Sequence, residues 1–303
     1  MTIPQDSDAA TVRAAGKDVA LTNLGKVFFP KTGATKRALL QYYADISPYL
    51  LPHLKDRAMV MKRYPNGADG EFFFMKRTPS PHPAWLETCS IEHGSGSIID
   101  FPMANDLASL LWIVNLGCID LNQWYATCDD VNRPDYVHFD LDPGSAPFDR
   151  VRETALLVRD GLASLGLTSY AKTSGSKGIH VYVPLVRGPV QKDVWHFAKQ
   201  FAVALARHEP ELMTSEYRKE KRPPGRVLVD YNQNRWGATL ASVYSVRPTQ
   251  QATVSAPVTW DEIEAGIEID EFRMDNMLAR IDRVGDLWKP LAAKRGRFKL
   301  PQV

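Results

Sequence analysis

Cysteine is scarce in this 303-residue chain: Cys89, Cys118 and Cys128 are the only three, and no C-x-x-C pair joins them. That excludes a disulfide-stapled miniprotein and predicts free thiols in a reducing cytoplasm. Cys89, His93, Cys118 and Cys128 also lack the spacing of a common zinc site. No apolar stretch approaches the roughly 18 residues of a membrane span. The opening MTIPQDSDAATVRAAGKD has no apolar core of a secretory signal. Repeats and low-complexity tracts are missing, and so is the G-x-x-x-x-G-K-[ST] phosphate loop. With 44% hydrophobic and 24% charged residues, what remains is a globular protein with material for one large domain or two modest ones.

Net charge is formally only +2, but its distribution is uneven. Between Lys17 and Arg63 nine basic residues face three acids, and between Arg218 and Arg226 five face Glu220 alone. A third run, Lys289, Lys294, Arg295, Arg297 and Lys299, follows Asp286. Such patches either neutralise phosphates or are solvated surface. Acids gather elsewhere, at Asp129, Asp130, Asp135, Asp140 and Asp142.

Periodicity gives a mixed α/β chain with hairpin-like connections. Residues 1–18 are polar and read as flexible. Apolar residues at helical spacing predict a helix from Thr35 to Leu54 that Pro48 kinks or ends. Strand-like runs follow at 58–64, 71–77 and 97–101, a helix capped by Asn105 or Asp106, and a strand over 119–125. Further strands are expected at 136–143, 168–185, 226–234 and 237–248, with helices near 147–165 and 193–208.

In VHFDLDP, Val137, Phe139 and Leu141 alternate with His138, Asp140 and Asp142, so both aspartates share the face opposite the core. Their carbons lie about 6–7 Å apart along such a strand, where two charges repel by about 2–3 kcal/mol at an effective dielectric near 20. A bound hard cation such as Mg²⁺ or Mn²⁺ would offset that cost. Asp230, in the nearly apolar strand VLVDYN, is a third candidate; three carboxylates can hold two divalent ions. A surface turn at 140–142 and a hairpin cap at 230 is the plainer alternative. Between two strands, TSGSKGIH (173–180) offers backbone N–H groups, Ser hydroxyls and Lys177 as anion donors, or else is a polar hairpin turn.

The set HFDLDP, SGSKGIHVYVP, VDYNQN and YSVRP, in this order, closely resembles the polymerase domain of bacterial ligase D, in the archaeo-eukaryotic primase superfamily. The similarity runs from about Leu21 to the end. It implies a primase-like α/β (α+β) core with mixed and antiparallel sheets flanked by helices. On this resemblance residues 19–303 form one primase-polymerase domain, with a phosphate- and template-binding part at about 19–130 and a catalytic part at about 131–303. Asp140, Asp142 and Asp230 match the metal-binding catalytic triad. Ser174, Ser176, Lys177, Gly178 and His180 match the loop that holds the incoming triphosphate, and Lys62, Gln233 and Arg247 match further nucleotide contacts. Asn23, Lys26 and Lys36 match the residues that hold the 5′-phosphate of a downstream strand. Phe73 and Phe74 match an aromatic pair against template bases; from pattern alone at least one face of the 72–74 run is expected in the core.

The resemblance further implies template-directed nucleotidyl transfer in non-homologous end joining or gap filling, with two Mn²⁺ or Mg²⁺ ions and tolerance of ribonucleotides. Its implied partners are gapped or end-joining DNA with a 5′-phosphate, nucleoside triphosphates, a DNA ligase and a Ku-type end-binding protein. Its implied place is the nucleoid in the cytoplasm, with no membrane. The ligase K-x-D-G motif is absent and the length leaves no room for ligase or nuclease domains, so a stand-alone polymerase module is expected. Asn122 departs from the pattern, since family members often carry His there. Two other readings use the same residues: a non-catalytic DNA-end binding or synapsis module, and a Mn²⁺-dependent glycosyltransferase that grips a sugar nucleotide with D-x-D.

Overall fold

Val12, Ala14, Val19 and Leu21 point inward while their neighbours face solvent, and this period of two folds Ala10–Ala14 (β1) and Lys17–Leu21 (β2) into an antiparallel hairpin. The hairpin occupies part of the segment whose polar composition reads as flexible, and Ile3 ahead of it is fully buried, its N–H donating to Gln41. Composition averages over such short alternating stretches and misses them. The computed structural model describes residues 1–293 and 295–301. Lys294 of the basic C-terminal run lies outside them.

The described residues form two units, and they are not consecutive halves of the sequence. The first takes Met1–Val131 together with Ala241–Ser255 and Phe272–Asp286. After the short pair Val27–Phe29 (β3) and Ala34–Thr35 (β4), Thr35 caps Lys36–Leu54 (α1) by accepting from the Ala38 N–H. Pro48 does not end this helix. The Ala44 carbonyl, which proline cannot serve, accepts from the Ser47 hydroxyl at 2.8 Å. Next come Met59–Arg63 (β5), Phe73–Met75 (β6), the hairpin Thr88–Glu92 (β7) and Ile98–Pro102 (β8), Leu107–Asn115 (α2) and Cys118–Gln123 (β9). Asp106 and Ser109 close a reciprocal cap on α2. Strands β6, β5 and β9 form one antiparallel sheet in that order.

The returning segment 241–255 is not a strand, although its alternation suggests one. Tyr244 has φ +60°, and Ser242, Tyr244 and Arg247 send their N–H groups to Leu121, Ser255 and Thr253 respectively. It is anchored by two tyrosines of α1. Tyr42 donates to the Tyr244 carbonyl (2.8 Å), and Tyr43 donates to the Ile119 carbonyl (2.7 Å) while accepting from the Val246 N–H (3.0 Å). The expectation of three free thiols is also corrected. Cys89 of β7 and Cys128 are joined, with Cα atoms 6.0 Å apart, beside the apolar cluster of Phe101 and Trp124; Cys118 is free and buried. Folding brings together two cysteines 39 residues apart, which spacing rules cannot see.

The second unit holds Asn132–Leu240, Ala256–Glu271 and the chain from Leu287. Its elements are Tyr136–Asp142 (β10), Phe148–Ser164 (α3), Tyr170–Thr173 (β11), Ile179–Pro184 (β12), Gln191–His208 (α4), Met213–Thr214 (β13), Val227–Asp230 (β14), Pro257–Val258 (β15) and Trp260–Ala265 (α5). Six strands make one sheet in the order β13-β14-β10-β12-β11-β15, antiparallel except for β13 beside β14. Helices α3 and α4 pack on it, and Phe139 of β10 meets Phe201 of α4 with ring centroids 4.9 Å apart. Val137, Phe139, Leu141, Val181 and Val183 are fully buried there, so the acidic positions of β10 are left on the other face. Among the described residues no helix is long and apolar enough to cross a membrane.

Candidate active site

In the second unit the sheet register aligns a row of charged side chains across four strands. Asp140 on β10 stands opposite Asp230 on β14 and His180 on β12, and His180 stands opposite Lys172 on β11. Directly opposed residues project from the same face, so the row reads Asp230, Asp140, His180, Lys172. Lys172 and His180 are buried, with Lys172 Nζ 2.8 Å from His180 Nδ1. An ammonium has only protons to offer, so Nδ1 accepts and the neutral imidazole carries its proton on Nε2. That nitrogen lies 3.3 Å from Asp140 Oδ1.

Asp230 is buried, and both its burial and the charge of Asp140 push its carboxyl above the usual range, against donors at Asn232 and Gln233 and the Arg222 charge. Its Oδ1 accepts from the Asn232 N–H at 2.8 Å and its Oδ2 from the Gln233 amide at 3.2 Å. Asp142 leaves the row: it is half exposed, lies 3.7 Å from the Arg222 guanidinium, and caps the Gly144 N–H at 3.0 Å. Among the described residues no three His, Cys, Asp or Glu side chains are gathered tightly enough to form a ready metal cluster. The donor set still fits a hard divalent cation, because Asp140 and Asp230 are oxygen donors of like charge held opposite one another, one of them destabilised as an anion.

The loop between β11 and β12 is built around one hydroxyl. Ser174 Oγ accepts from the N–H groups of Ser176 (3.1 Å), Lys177 (3.1 Å) and Gly178 (2.9 Å). Three amide donors thus converge on a single oxygen, the geometry of an anion-binding nest. Gly178 is required by space, since a Cβ there would come within 2.1 Å of the Leu141 carbonyl, between the two aspartates. Ser176 and Lys177 are exposed at the tip. Neighbouring His138 is buried and stacked on Tyr182, and chiefly desolvation, with His180 close by, lowers its pKa to about 3, so it stays neutral. Asn234 ties β10 to the turn after β14, donating to the His138 carbonyl at 2.6 Å and accepting from its N–H at 3.1 Å.

In the first unit Lys62 of β5 and Arg247 share a third acid. Asp120 of β9 is buried, with Lys62 Nζ 3.3 Å from one carboxylate oxygen and Arg247 Nε 3.3 Å from the other. Asp120 leaves little trace in the sequence, a lone acid in the apolar run CIDL. Phe72, Phe73 and Phe74 are all exposed, so no face of that run enters the core. Their rings sit instead on cations, with Lys62 4.2 Å from the Phe72 centroid and the Arg63 guanidinium 5.2 Å from that of Phe73.

Asn23, Lys26 and Lys36 come together through the backbone. The Lys26 N–H donates to Asn23, the Lys36 N–H donates to Lys26 at 2.8 Å, and Asn23 adopts φ +54°. Lys26 is exposed and bonded to the Pro65 carbonyl and the Asn66 side chain, at 2.7 and 2.9 Å. Lys36 is buried, donates to the Thr22 carbonyl at 2.7 Å, and has its pKa lowered to about 8 by desolvation and by the charge of Lys26.

The LigD primase-polymerase domain family matches residues 35–288. The multifunctional non-homologous end joining protein LigD of Mycolicibacterium smegmatis is 38% identical over 278 residues, 91% of this chain and 36% of that protein. The bifunctional non-homologous end joining protein LigD of Bacillus subtilis is 34% identical over 87% of this chain and 42% of its own length. This chain therefore spans roughly two-fifths of such relatives. Among solved structures, the polymerase domain of Mycobacterium tuberculosis ligase D in complex with DNA superposes with a TM-score of 0.85 at 34% identity, covering 91% of this chain and 98% of that one. The chain belongs to the LigD primase-polymerase domain family.

Proposed function

We propose that this protein is a template-directed nucleotidyltransferase that extends a primer strand during DNA end joining or gap filling. The observation that carries this reading is the Asp230–Asp140–His180–Lys172 row lying against a nest of three amide donors. In the reaction the primer 3′-hydroxyl attacks the α-phosphorus of a nucleoside triphosphate and pyrophosphate leaves. Asp140, Asp142 and Asp230 would hold divalent ions, which when bound supply charge neutralisation and acidify the attacking hydroxyl. Around them the exposed Ser176 hydroxyl, Lys177 and His180 Nε2 donate to triphosphate oxygens, on a turn whose 176–178 amides the Ser174 hydroxyl holds in place, with Lys172 fixing the His180 tautomer. Gln233 supplies a further nucleotide contact.

In the first unit, Lys62 and Arg247 act as nucleotide contacts whose position Asp120 sets. The exposed Phe73 and Phe74 stack on template bases, a contact worth about 1–3 kcal/mol per base. Asn23, Lys26 and Lys36 hold a downstream 5′-phosphate, whose second negative charge two ammonium groups recognise over an internal diester. The relatives' end-joining role and the DNA of the solved relative support the same substrate class. The deciding experiment supplies a gapped duplex with a 5′-phosphate, ribo- or deoxyribonucleotides, and Mn²⁺ or Mg²⁺. Templated extension is expected, with ribonucleotides accepted. Tight duplex binding without a longer product would favour a non-catalytic end-binding module, and preference for a sugar nucleotide a glycosyltransferase.

A further inference from the structure

Residues 1–8 precede β1 and are strapped along α1 of the first unit. Ile3 is fully buried and its N–H donates to Gln41 Oε1 at 2.7 Å, while the Gln41 amide donates back to the Met1 carbonyl at 3.0 Å. One turn earlier on the same helix face, Arg37 donates from Nε to the Pro4 carbonyl and from Nη2 to the Ser7 carbonyl, each at 2.7 Å. These bonds to Gln41 and Arg37 lead the segment to a fixed end at Asp8.

Asp8 closes on the turn that carries two of the proposed phosphate contacts. Its carbonyl accepts from the Leu24 N–H at 2.9 Å and its Oδ1 from the Gly25 N–H at 2.7 Å. Leu24 and Gly25 are the two residues between Asn23 and Lys26, so both central amides of the turn end on Asp8. Within the turn the Lys26 N–H reaches the Asn23 carbonyl at 3.2 Å. Asn23 stands at φ +54°, a left-handed conformation that a residue other than glycine keeps where its surroundings hold it. A carboxylate accepting a backbone N–H makes a charge-assisted bond, stronger than a neutral one. The same carboxylate enters a basic neighbourhood: Lys26 and Arg63 bear on the buried Lys36 ammonium as like charges, and Asp8 as the opposite one.

We propose that Asp8 is a positioning residue of the downstream 5′-phosphate site: through the Leu24 and Gly25 amides it fixes the turn that presents Asn23 and Lys26, without itself touching the phosphate. Segment 1–8 is thereby a working part of that site, and α1 anchors it there through Arg37 and Gln41. The proposal rests on the reading of Asn23, Lys26 and Lys36 as 5′-phosphate contacts, and the experiment tells the failure of one from the failure of the other.

The measurement is fluorescence anisotropy of one gapped duplex whose downstream strand carries either a 5′-phosphate or a 5′-hydroxyl, with no metal or nucleotide added, near pH 7, where the phosphate is mostly a dianion. The unmodified protein is expected to prefer the phosphorylated duplex by about tenfold or more. Asp8→Ala should cut that preference at least about fivefold and leave affinity for the hydroxyl duplex within about twofold. Asp8→Asn, whose carboxamide oxygen can still accept from Gly25, should hold the preference at or above the unmodified level. In an Asn23→Ala/Lys26→Ala background the turn presents nothing, so Asp8→Ala should change the remaining preference by less than about twofold. An undiminished preference in Asp8→Ala, an equal loss in Asp8→Asn, a loss shared by both duplexes, or additive losses in the double background overturns the positioning role while the 5′-phosphate reading stands. If the unmodified protein does not distinguish the two duplexes, the 5′-phosphate reading itself fails and the role of Asp8 falls with it.

Discussion

Asp140 and Asp230 face each other across two strands at a spacing of about 5 Å between Cβ atoms, which at an effective dielectric near 20 corresponds to about 3 kcal/mol of repulsion. Asp230→Asn should therefore raise the melting midpoint of the metal-free protein. It should also abolish the upward shift that Mn²⁺ produces in the unmodified protein, both read by thermal melts with chelator or metal. Lys172 acts one residue away from the substrate. Replacing it with the similarly sized Met should raise the apparent KM for the nucleoside triphosphate about tenfold, with a smaller change in kcat, because His180 would lose the donor that orients it. Equal losses in kcat and melting midpoint would instead mark Lys172 as purely structural.

The buried Lys36 adds a pH dependence. Its free ammonium loses its proton near pH 8, while a terminal phosphate is already mostly a dianion at pH 7. Preference for 5′-phosphorylated over 5′-hydroxyl DNA should therefore fall as pH rises from 7 to 9, whereas Lys36→Arg should hold it level. At this scale the D-x-D alternation was readable from the sequence, because period two assigns faces without any knowledge of neighbours. Lys172 and Asp120 were not, since only the pairing of β11 with β12 and of β5 with β9 gives a buried charge its partner.

The elements explain why the loop after β11 sits so close to the aspartates. Gly178 packs its bare Cα against the Leu141 carbonyl, and the Ser174 hydroxyl draws the 176–178 amides inward. Gly178→Ala must displace backbone at both strands. Overpacking of this kind costs about 1–3 kcal/mol, so nucleotide binding by titration should be lost and the melting midpoint should drop by at least about 2 °C. Helices and strands with strong periodicity were legible in the sequence; exceptions have local causes. Pro48 persists inside α1 because Ser47 takes over the stranded carbonyl, and the rings of the exposed Phe72–Phe74 run meet the cations Lys62 and Arg63 instead of the core. Hydrophobicity alone cannot distinguish a ring meant for the core from one meant for a base.

At the scale of the molecule, the chain weaves. Segment 241–255 returns to the first unit through hydrogen bonds to residues about two hundred positions earlier, and 272–286 bonds in turn to 241–255, so no local composition shift marks a boundary. That long-range closure also brings Arg247 to Asp120, a pairing no spacing rule contains. Basic stretches flank an acidic row in sequence and neutralise phosphates in the proposed reaction, with the second unit supplying the carboxylates. The most direct measurement is single-turnover extension of a 5′-phosphorylated gapped duplex by Asp140→Ala, paired with its affinity for the same duplex. A rate at least about a thousandfold below the unmodified protein with unchanged affinity is expected; a rate within tenfold of it would contradict the assignment of these carboxylates to nucleotidyl transfer.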